Sequence, residues 1–307
     1  MSIGAARADW NNWSGQRGAV PSPAVEITSD VELPAQASGM TVIREKVRAM
    51  RITAFGKTDR GRRRPNNEDD LAVVDLTEGR LMPDHSAEHL QVGQKGVLLA
   101  VCDGVGGRRA GEVASELALE VLSGEMESLS PTCPKRDLFR AAVEKVNARV
   151  WNEARSDSAL EGMATTLTAA VVCQSRAIFA HVGDSRAYVL RGERIRQITR
   201  DQSFVQSLVE AGAIREEETA QSPYRNVILQ AIGRKTRVEV ALDAVEVSAG
   251  DVLLLCTDGL SDKVRPEEMA ERLAAPGLRE AVEGLIALAN ERGGQDNITA
   301  LAARIEA

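Results

Sequence analysis

A succession of short β segments in the middle of this 307-residue chain most limits what it can fold into. Residues 164–199 contain four such segments, enriched in Thr, Val and Ile, with Gly183 and Gly192 between them and no intervening helical pattern. Strands that follow one another without a helical crossover pair antiparallel. Helical spacing of apolar residues occurs instead in adjacent pairs of segments, within residues 110–155 and 266–293. This order predicts an α+β fold with antiparallel sheets.

The N-terminal part differs in composition from the rest. Residues 1–48 are rich in Ala, Ser, Pro and Gly without sustained apolar periodicity, so they are predicted to be a disordered tail in which Trp10 and Trp13 are incidental. Residues 49–307 are predicted to form one domain. The net charge of -7 argues against general binding to nucleic acid or anionic membranes. Since no apolar run of about 18 residues and no signal peptide occur, we expect a cytoplasmic protein that does not enter the membrane.

Two further expectations concern local structure. Residues 79–95 are predicted to be a polar connection. The spacing of Val113, Leu117, Leu119 and Val121 indicates a first helix over residues 110–126. No two cysteines have CxxC spacing, and three of the four end apolar runs. They are therefore predicted to be core thiols, neither a zinc site nor a disulfide framework: Cys102, Cys133, Cys173 and Cys256.

Four separated segments each place an acidic residue at a turn beside Gly or Asn: NNED at 66–69, CDGVGG at 102–107, TDGLSD at 257–262 and QDN at 295–297. Asp103 and Asp258 directly follow apolar strands, so they are partly removed from water and repel each other unless a cation holds them. Oxygen-only ligation suits Mg²⁺ or Mn²⁺ better than Zn²⁺. The combination predicts a binuclear site for hard metals, although any one DG pair taken singly is more often a simple turn.

Five motifs in order, TDRGRRRPNNEDD, AVCDGVGG, HVGDSRAYVL, LLLCTDGLSD and GGQDNIT, resemble those of the metal-dependent Ser/Thr protein phosphatases of type 2C, particularly their compact bacterial members. The resemblance covers about residues 50–305. It implies a four-layer α-β-β-α sandwich with two central antiparallel sheets. It also implies hydrolysis of phosphoserine and phosphothreonine by a metal-activated water at a site with two Mn²⁺ or Mg²⁺ ions. The expected partners are phosphorylated proteins and a separate Ser/Thr kinase, and we expect a monomer.

The resemblance also implies roles for individual residues. Asp103 would bridge the two metals, Gly104 would offer its backbone carbonyl, and Arg64 would hold the substrate phosphate with its guanidinium fork. Asp184, together with Asp258, would contribute to a third, weaker metal site. The full set of implied metal ligands is Glu68, Asp69, Asp103, Gly104, Asp184, Asp258 and Asp296.

The chain departs from the family pattern at three positions. Val105 stands where many eukaryotic relatives have a His proposed as general acid, so another group must protonate the leaving oxygen. Gln202 and Gln221 occupy positions in the family's flap segment where bacterial relatives often carry His. These departures leave the substrate preference set by the flap open.

Two other functions compete with this interpretation. Cys102 and Arg108 fit the C-x5-R loop of cysteine-dependent phosphatases, but the apolar strand and the adjacent Asp103 favour the neutral thiol. A degenerate family member would bind phosphoproteins without hydrolysing them. Because every matched position here holds the expected acid, catalysis is favoured over pure binding.

Other polar groups are predicted to lie outside the metal site. His85 and His89 are interpreted as part of a polar insert rather than a metal site, and His181 as a satisfied strand histidine. The arginine cluster of Arg60, Arg62, Arg63 and Arg64 suits a rim that attracts phosphorylated substrate. For Arg62 and Arg63, an ordinary solvated loop is an equal alternative.

Overall fold

The apolar segments form strands that pair into two antiparallel sheets in a computed structural model, which describes residues 50–106, 110–129 and 131–307. The strands of this part of the chain are β1 (Arg51–Asp59), β2 (Asp69–Asp75), β3 (Arg80–Leu81), β4 (Ser86–Gln91), β5 (Val97–Val105), β6 (Ala164–Thr165), β7 (Leu167–Cys173), β8 (Arg176–Val182), β9 (Arg186–Arg191), β10 (Arg194–Gln197), β11 (Ala241–Glu246), β12 (Val252–Cys256) and β13 (Ile298–Glu306). The α-helices are α1 (Ala110–Ser128), α2 (Arg136–Ser156), α3 (Phe204–Glu210), α4 (Asp258–Ser261), α5 (Pro266–Leu273) and α6 (Leu278–Glu291).

The two sheets pack face to face. One has the strand order β10-β9-β12-β13-β1-β4, and the other has the order β11-β8-β7-β5-β2-β3, with β6 paired to β5. Gly56 of β1 lies between Leu71 of the opposite sheet and Leu301 of its own, and an added Cβ there would overlap Leu71. The absence of a side chain at Gly56 therefore lets the sheets approach closely.

Helices cover the outer face of each sheet. Phe139, Val143 and Val146 of α2 are fully buried in a core that α1 and α2 share with the sheet containing β5. Leu285 and Val282 of α6 lie in the corresponding core on the other sheet. The predicted α+β class and the four-layer α-β-β-α arrangement are confirmed.

The expectation of a polar connection over residues 79–95 is wrong. This segment contains β3, a 3-10 helix at Pro83–His85, and β4, which pairs with β1 through Ala54 and Ala87. Ala87 is the one fully buried residue of β4. An edge strand with so few buried positions lacks the apolar alternation by which strands are recognised in a sequence.

The predicted first helix is confirmed as α1, but only one of the four apolar residues that indicated it is fully buried. Leu119 is buried, whereas Val113, Leu117 and Val121 lie only partly buried against the core. The helix instead buries mainly small side chains, which allow it to approach the sheet closely. Its buried residues are Ala110, Gly111, Ala114, Ser115, Ala118, Leu119, Leu122 and Met126.

The cysteines behave as predicted at two of four positions. Cys102 and Cys256 are buried free thiols. Cys133, which follows α1, and Cys173, at the end of β7, are joined in a disulfide with a Cα–Cα separation of 5.9 Å, contrary to the expectation of core thiols. They are 40 residues apart in the sequence, and only the packing of the α1–α2 connection on the end of β7 brings them together.

The predicted tail at 1–48, including Trp10 and Trp13, lies outside the described residues, so the domain boundary at residue 49 stays a prediction. Among the residues that are described, no helix has the length and apolar character needed to cross a bilayer.

Candidate active site

The predicted acidic residues meet in one pocket at the end of the sandwich. The pocket has a volume of about 590 Å³. The predicted residues that line it are Arg64, Glu68, Asp103, Gly104, Asp184, Asp258 and Asp296. Asp69 stands beside them, since it opposes Asp103 directly in the β2–β5 pairing. Segments more than 200 residues apart in the sequence therefore contribute to a single site.

Asp69 is held by two hydroxyl groups from the other sheet region. The Thr257 and Thr299 hydroxyls donate to its Oδ2 at 2.8 and 2.7 Å. Its Oδ1 is buried and has no hydrogen-bond partner in the described part of the chain. Neither threonine was predicted from the sequence, where each looks like an ordinary strand residue.

The end of β5 is packed too tightly for any residue but glycine at position 104. The Asp103 N–H donates to the Thr166 hydroxyl at 2.9 Å, and the Gly104 N–H donates to the Glu68 carbonyl at 3.1 Å. A Cβ on Gly104 would overlap the carbonyl oxygens of Glu68 and Gly111. The Asp103 backbone, the Glu68 loop and the first turn of α1 are thereby fixed relative to one another.

Asp258 and Asp184 come from turns at the ends of other strands. Asp258 opens α4 directly after β12, and its buried Oδ1 has no partner among the described residues. Gly259 leaves no space for a side chain, because a Cβ there would overlap the Asn297 carbonyl. Asp184 follows Gly183, whose φ of +113° favours glycine. The Gly183 N–H donates to the Gln202 side chain at 2.9 Å, so Gln202 supports this turn.

Asn297 is the main positioning residue that sequence reasoning missed. Its Oδ1 accepts the Glu68 N–H at 2.9 Å, and its Nδ2 donates to the carbonyls of Arg60 and Asn66, both at 2.9 Å. The side chain is almost fully buried. It connects the QDN motif to the loop that carries Arg64 and Glu68. In the sequence, an Asn after an Asp indicates only a turn.

Arg64 is half exposed at the mouth of the pocket and pairs with a predicted metal ligand. Its Nη2 lies 2.7 Å from Asp296 Oδ2. The charges of Asp103 and Glu68, together with Asp296, raise its pKa further. The guanidinium is therefore held beside the acidic residues of the pocket while the side chain remains half exposed.

The carboxyl groups are strongly perturbed. Removal from water, with a smaller contribution from neighbouring carboxylates, raises the pKa of Asp69 and Asp184 to about 7 and that of Asp258 to about 8. The pKa of Asp103 is raised well above its usual range by burial and by the charges of Asp69 and Asp258. These acids destabilise one another when all are ionised.

The donor set fits hard divalent cations. Every side-chain donor in the cluster is an oxygen, and the buried Oδ1 atoms of Asp69 and Asp258 are unpartnered within the described residues. Among residues 50–106, 110–129 and 131–307, no three His, Cys, Asp or Glu side chains are close enough together to ligate one metal ion. The carboxylates therefore surround the pocket without converging on one point. A cation would replace their repulsion with attraction and draw them together.

The competing groups are badly placed for chemistry. Cys102 is fully buried in the core beneath the helices, and burial raises the pKa of its thiol well above normal, while Arg108 lies outside the described residues. His89 pairs with Glu306 at 2.6 Å at another surface. His181 is buried, contacts the Thr168 hydroxyl at 2.8 Å and has its pKa lowered to about 4 by burial, so it is a neutral core residue whose Nε2 lacks a partner in this part of the chain.

Proteins with this fold are found among solved structures. The chain belongs to the protein phosphatase 2C family, whose model matches residues 76–300.

Two curated relatives are bacterial. The serine/threonine phosphatase stp of Listeria monocytogenes is 37% identical over 249 residues, which cover 80% of this chain and 92% of that protein. The serine/threonine protein phosphatase PstP of Mycobacterium tuberculosis is 42% identical over 211 residues, covering 68% of this chain and 40% of that protein.

Solved structures agree with these relatives. The crystal structure of the M. tuberculosis phosphatase PstP/Ppp superposes with a TM-score of 0.72 at 37% identity, covering 84% of this chain and all of the other. The catalytic domain of PstP in complex with two manganese ions superposes with a TM-score of 0.70 at 36% identity, with the same coverage. The chain is therefore a Ser/Thr protein phosphatase that acts on phosphorylated proteins, and it belongs to a metal-dependent family.

The raised pKa values predict that the metal-free protein loses stability as pH rises. Asp69, Asp184 and Asp258 remain largely protonated in the fold at pH 5.5, whereas in the unfolded chain they ionise near pH 4. Unfolding then releases protons, so stability falls between about pH 4 and 8. We expect Tm measured in EDTA to be lower at pH 8.5 than at pH 5.5 by roughly 5 °C or more.

The Asp258→Asn variant is the control for this prediction, since it removes one of the shifted groups. Its Tm is expected to fall less over the same range. An equal fall in both proteins would contradict the assignment of the pH dependence to this cluster.

Asn297→Ala is expected to destabilise the fold by about 2–3 kcal/mol, because it leaves the Glu68 N–H and two carbonyls without their partner. Urea unfolding monitored by circular dichroism measures the change. Asn226→Ala, at an exposed asparagine lining the same pocket, is the matched control and should leave the unfolding midpoint within experimental error. Equal stability of the two variants would contradict the positioning role.

Proposed function

We propose that this phosphatase hydrolyses phosphoserine and phosphothreonine at a site where two divalent cations, Mn²⁺ or Mg²⁺, are held by carboxylates. The observation that carries the proposal is the pair of buried Oδ1 atoms of Asp69 and Asp258, which find no partner among the residues described and lie inside a cluster of mutually repelling carboxylates. Buried polar atoms in native proteins rarely lack hydrogen-bond partners, so each exception needs an explanation, and a bound ion is one. The ligands in this proposal are Glu68, Asp69, Asp103, Gly104, Asp184, Asp258 and Asp296.

Asp103 is the proposed bridging ligand because of its central position. It opposes Asp69 across the β2–β5 pairing, and the charges of Asp69 and Asp258 act on it more than those of its other neighbours. The Gly104 peptide beside it lines the pocket and is the proposed carbonyl ligand. Asp184 perturbs Asp258 more than any other charged neighbour does, which supports a weaker third site between these two.

When bound, cations of this kind lower the pKa of a water and offset the charge on the transferred phosphoryl group. The side chains of the protein bind the phosphate and position the loop that carries Arg64. Arg64 exchanges part of its contact with Asp296 for the phosphate dianion, whose geometry its fork matches. The hydrogen bonds of Asn297 keep the Arg64 loop in register with the acidic floor.

The oxygen of the leaving serine or threonine must receive a proton from a group other than residue 105. Val105 is exposed at the pocket rim and carries no transferable proton. Val105 and Val227 are instead exposed apolar residues of the pocket lining, and they would offer the substrate a nonpolar surface.

The proposed partners are a Ser/Thr kinase, which supplies the phosphorylated substrates, and the substrates themselves. All of the proposed ligands come from one chain, which supports activity as a monomer.

We expect purified protein to release phosphate from a phosphothreonine peptide when Mn²⁺ is added and to lose this activity in EDTA. Calorimetric titration with Mn²⁺, which does not depend on turnover, should show two ions per chain. Asp103→Asn is expected to lower kcat at least about a thousandfold and to weaken Mn²⁺ binding while the fold is retained. Near-normal turnover or unchanged Mn²⁺ binding by this variant would contradict the bridging role.

Alkylation of thiols provides a separate arm of the same experiment. Because Cys102 is buried and does not line the pocket, activity should survive alkylation. Activity that persists in EDTA but is lost on alkylation would favour the cysteine mechanism. Phosphopeptide binding without hydrolysis in any arm would favour a binding protein.

Arg64→Ala is expected to raise KM for the phosphopeptide about tenfold and to lower kcat by a smaller factor, because the guanidinium chiefly captures the phosphate. Steady-state kinetics with Mn²⁺ measures both parameters. Arg194→Ala, at an exposed arginine on β10 that does not line the pocket, is the matched control. An unchanged KM in Arg64→Ala would contradict phosphate capture.

A further inference from the structure

A second cavity, of about 620 Å³, adjoins the acidic pocket. Trp151 and Arg155 of α2 line it, together with Glu161 and Arg234. Arg234 also lines the acidic pocket, so the two cavities meet at its side chain. A substrate chain whose phosphorylated residue occupies the first cavity therefore passes Arg234 on the way to the second.

The backbone on both sides of Arg234 is held by one buried side chain. The Gly233 N–H donates to Asn147 Oδ1 at 2.9 Å, and Asn147 Nδ2 donates to the Lys235 carbonyl at 3.0 Å. Asn147 lies on α2 and is almost fully buried. Gly233 has a φ of +82°, and a Cβ on it would overlap Val150, so the turn requires glycine there.

The same segment is tied to the catalytic pocket. Ile232 and Thr165 exchange two backbone hydrogen bonds of 2.8 and 3.0 Å. The Thr165 hydroxyl donates to the Asp103 carbonyl at 2.9 Å. The exposed Arg234 side chain thus projects from a backbone that is positioned relative to Asp103, as a specificity residue needs to be.

The charge of the second cavity complements an anion. The Arg155 guanidinium carbon lies 5.5 Å from the centre of the Trp151 ring, a cation–π contact that orients it. Within the described residues, neither Arg155 nor Arg234 forms an ion pair with a carboxylate, whereas Arg64, Arg186 and Arg191 each do. These two guanidinium groups outnumber the one carboxylate in the cavity lining, that of Glu161, and with no ion-pair partner in this part of the chain they suit a carboxylate or a phosphate.

We propose that Arg234, together with Arg155 on Trp151, binds an acidic side chain or a second phosphate near the phosphorylated residue of the substrate. This subsite rests on the proposed function, because it requires the substrate phosphoryl group to occupy the neighbouring acidic pocket. It makes sequence around the phosphorylation site, and not phosphorylation alone, a determinant of the rate.

The test compares phosphothreonine peptides of equal length in the presence of Mn²⁺. One peptide has neutral flanking residues, and the others carry glutamate or a nonhydrolysable phosphonate residue on the N-terminal or the C-terminal side. We expect kcat/KM for an anionic peptide to exceed that for the neutral peptide about fivefold, and the ratio to decrease with added salt. The glutamate and phosphonate arms show which anion is preferred.

Arg234→Gln should bring this ratio close to one, and Arg155→Gln should lower it by a smaller factor. Arg237→Gln is the matched control: it changes an exposed arginine three positions along the chain that lines neither cavity, and it should retain the ratio. A wild-type enzyme that hydrolyses all peptides equally well would overturn the subsite and leave the proposed function standing. A preference that Arg234→Gln retains would overturn the assignment to Arg234.

Binding of the same peptides with phosphonate in place of the scissile phosphate separates this proposal from the proposed function, since it needs no turnover. Fluorescence anisotropy of labelled peptides should show a Kd about fivefold lower for the anionic peptides with the wild type, and equal values with Arg234→Gln. Equal Kd values with the wild type would overturn the subsite whether or not the protein proves catalytic.

Discussion

Repulsion among carboxylates gathered where the strands of two sheets end is the constraint on which this structure depends. Asp69, Asp103 and Asp258 are drawn from three strand ends, and their loss of hydration and their closeness raise the pKa of each. A flexible chain would separate such groups. They remain together because each is fixed to a backbone whose pairing in a sheet costs far more to disrupt than one unfavourable contact.

The ties that resist this repulsion join distant parts of the sequence. Asn297 connects the last motif to the loop that carries Arg64 and Glu68, over more than 200 residues. Gly104 lets three backbone segments meet without a side chain between them. Through its contacts with Asp103 and Ile232, Thr165 connects the end of β5 to the segment that carries Arg234. The site is thus assembled largely by hydrogen bonds to backbone groups, which leave the Oδ1 atoms of Asp69 and Asp258 available to an ion.

Sequence reasoning reached the elements with strong periodicity and the residues with distinctive chemistry. The strand that leads to Asp103 and the helix that buries Phe139 and Val146 each have an apolar pattern that can be read within a short stretch of sequence. By contrast, β4 buries a single alanine. Helix α1 buries many small residues, whose hydrophobicity differs little from that of the residues on its exposed face.

The same limit applies to the site. Acidic residues beside glycine can be recognised singly, and their order led to the family. The roles of Asn297 and Asn147 depend on which backbone groups the fold brings opposite their amides, and no local pattern contains that information. The pairing of Cys133 with Cys173 is likewise a product of packing between a connection and a strand end.

Capture of an anionic substrate by this negatively charged molecule requires positive charge close to the site. The chain carries a net charge of -7, and phosphoproteins are themselves anionic around the modified residue. At physiological ionic strength, exposed charges further apart than about 8 Å are largely screened, so the distant acidic surface repels little. What the phosphoryl group meets at short range is the guanidinium of Arg64 above an acidic floor, with Arg234 at the boundary of the next cavity. In the proposed mechanism, a dianion can approach Arg64 above these carboxylates only when a cation neutralises their charge. On that proposal, the arrangement that makes the carboxylates repel one another also makes phosphate capture dependent on the metal.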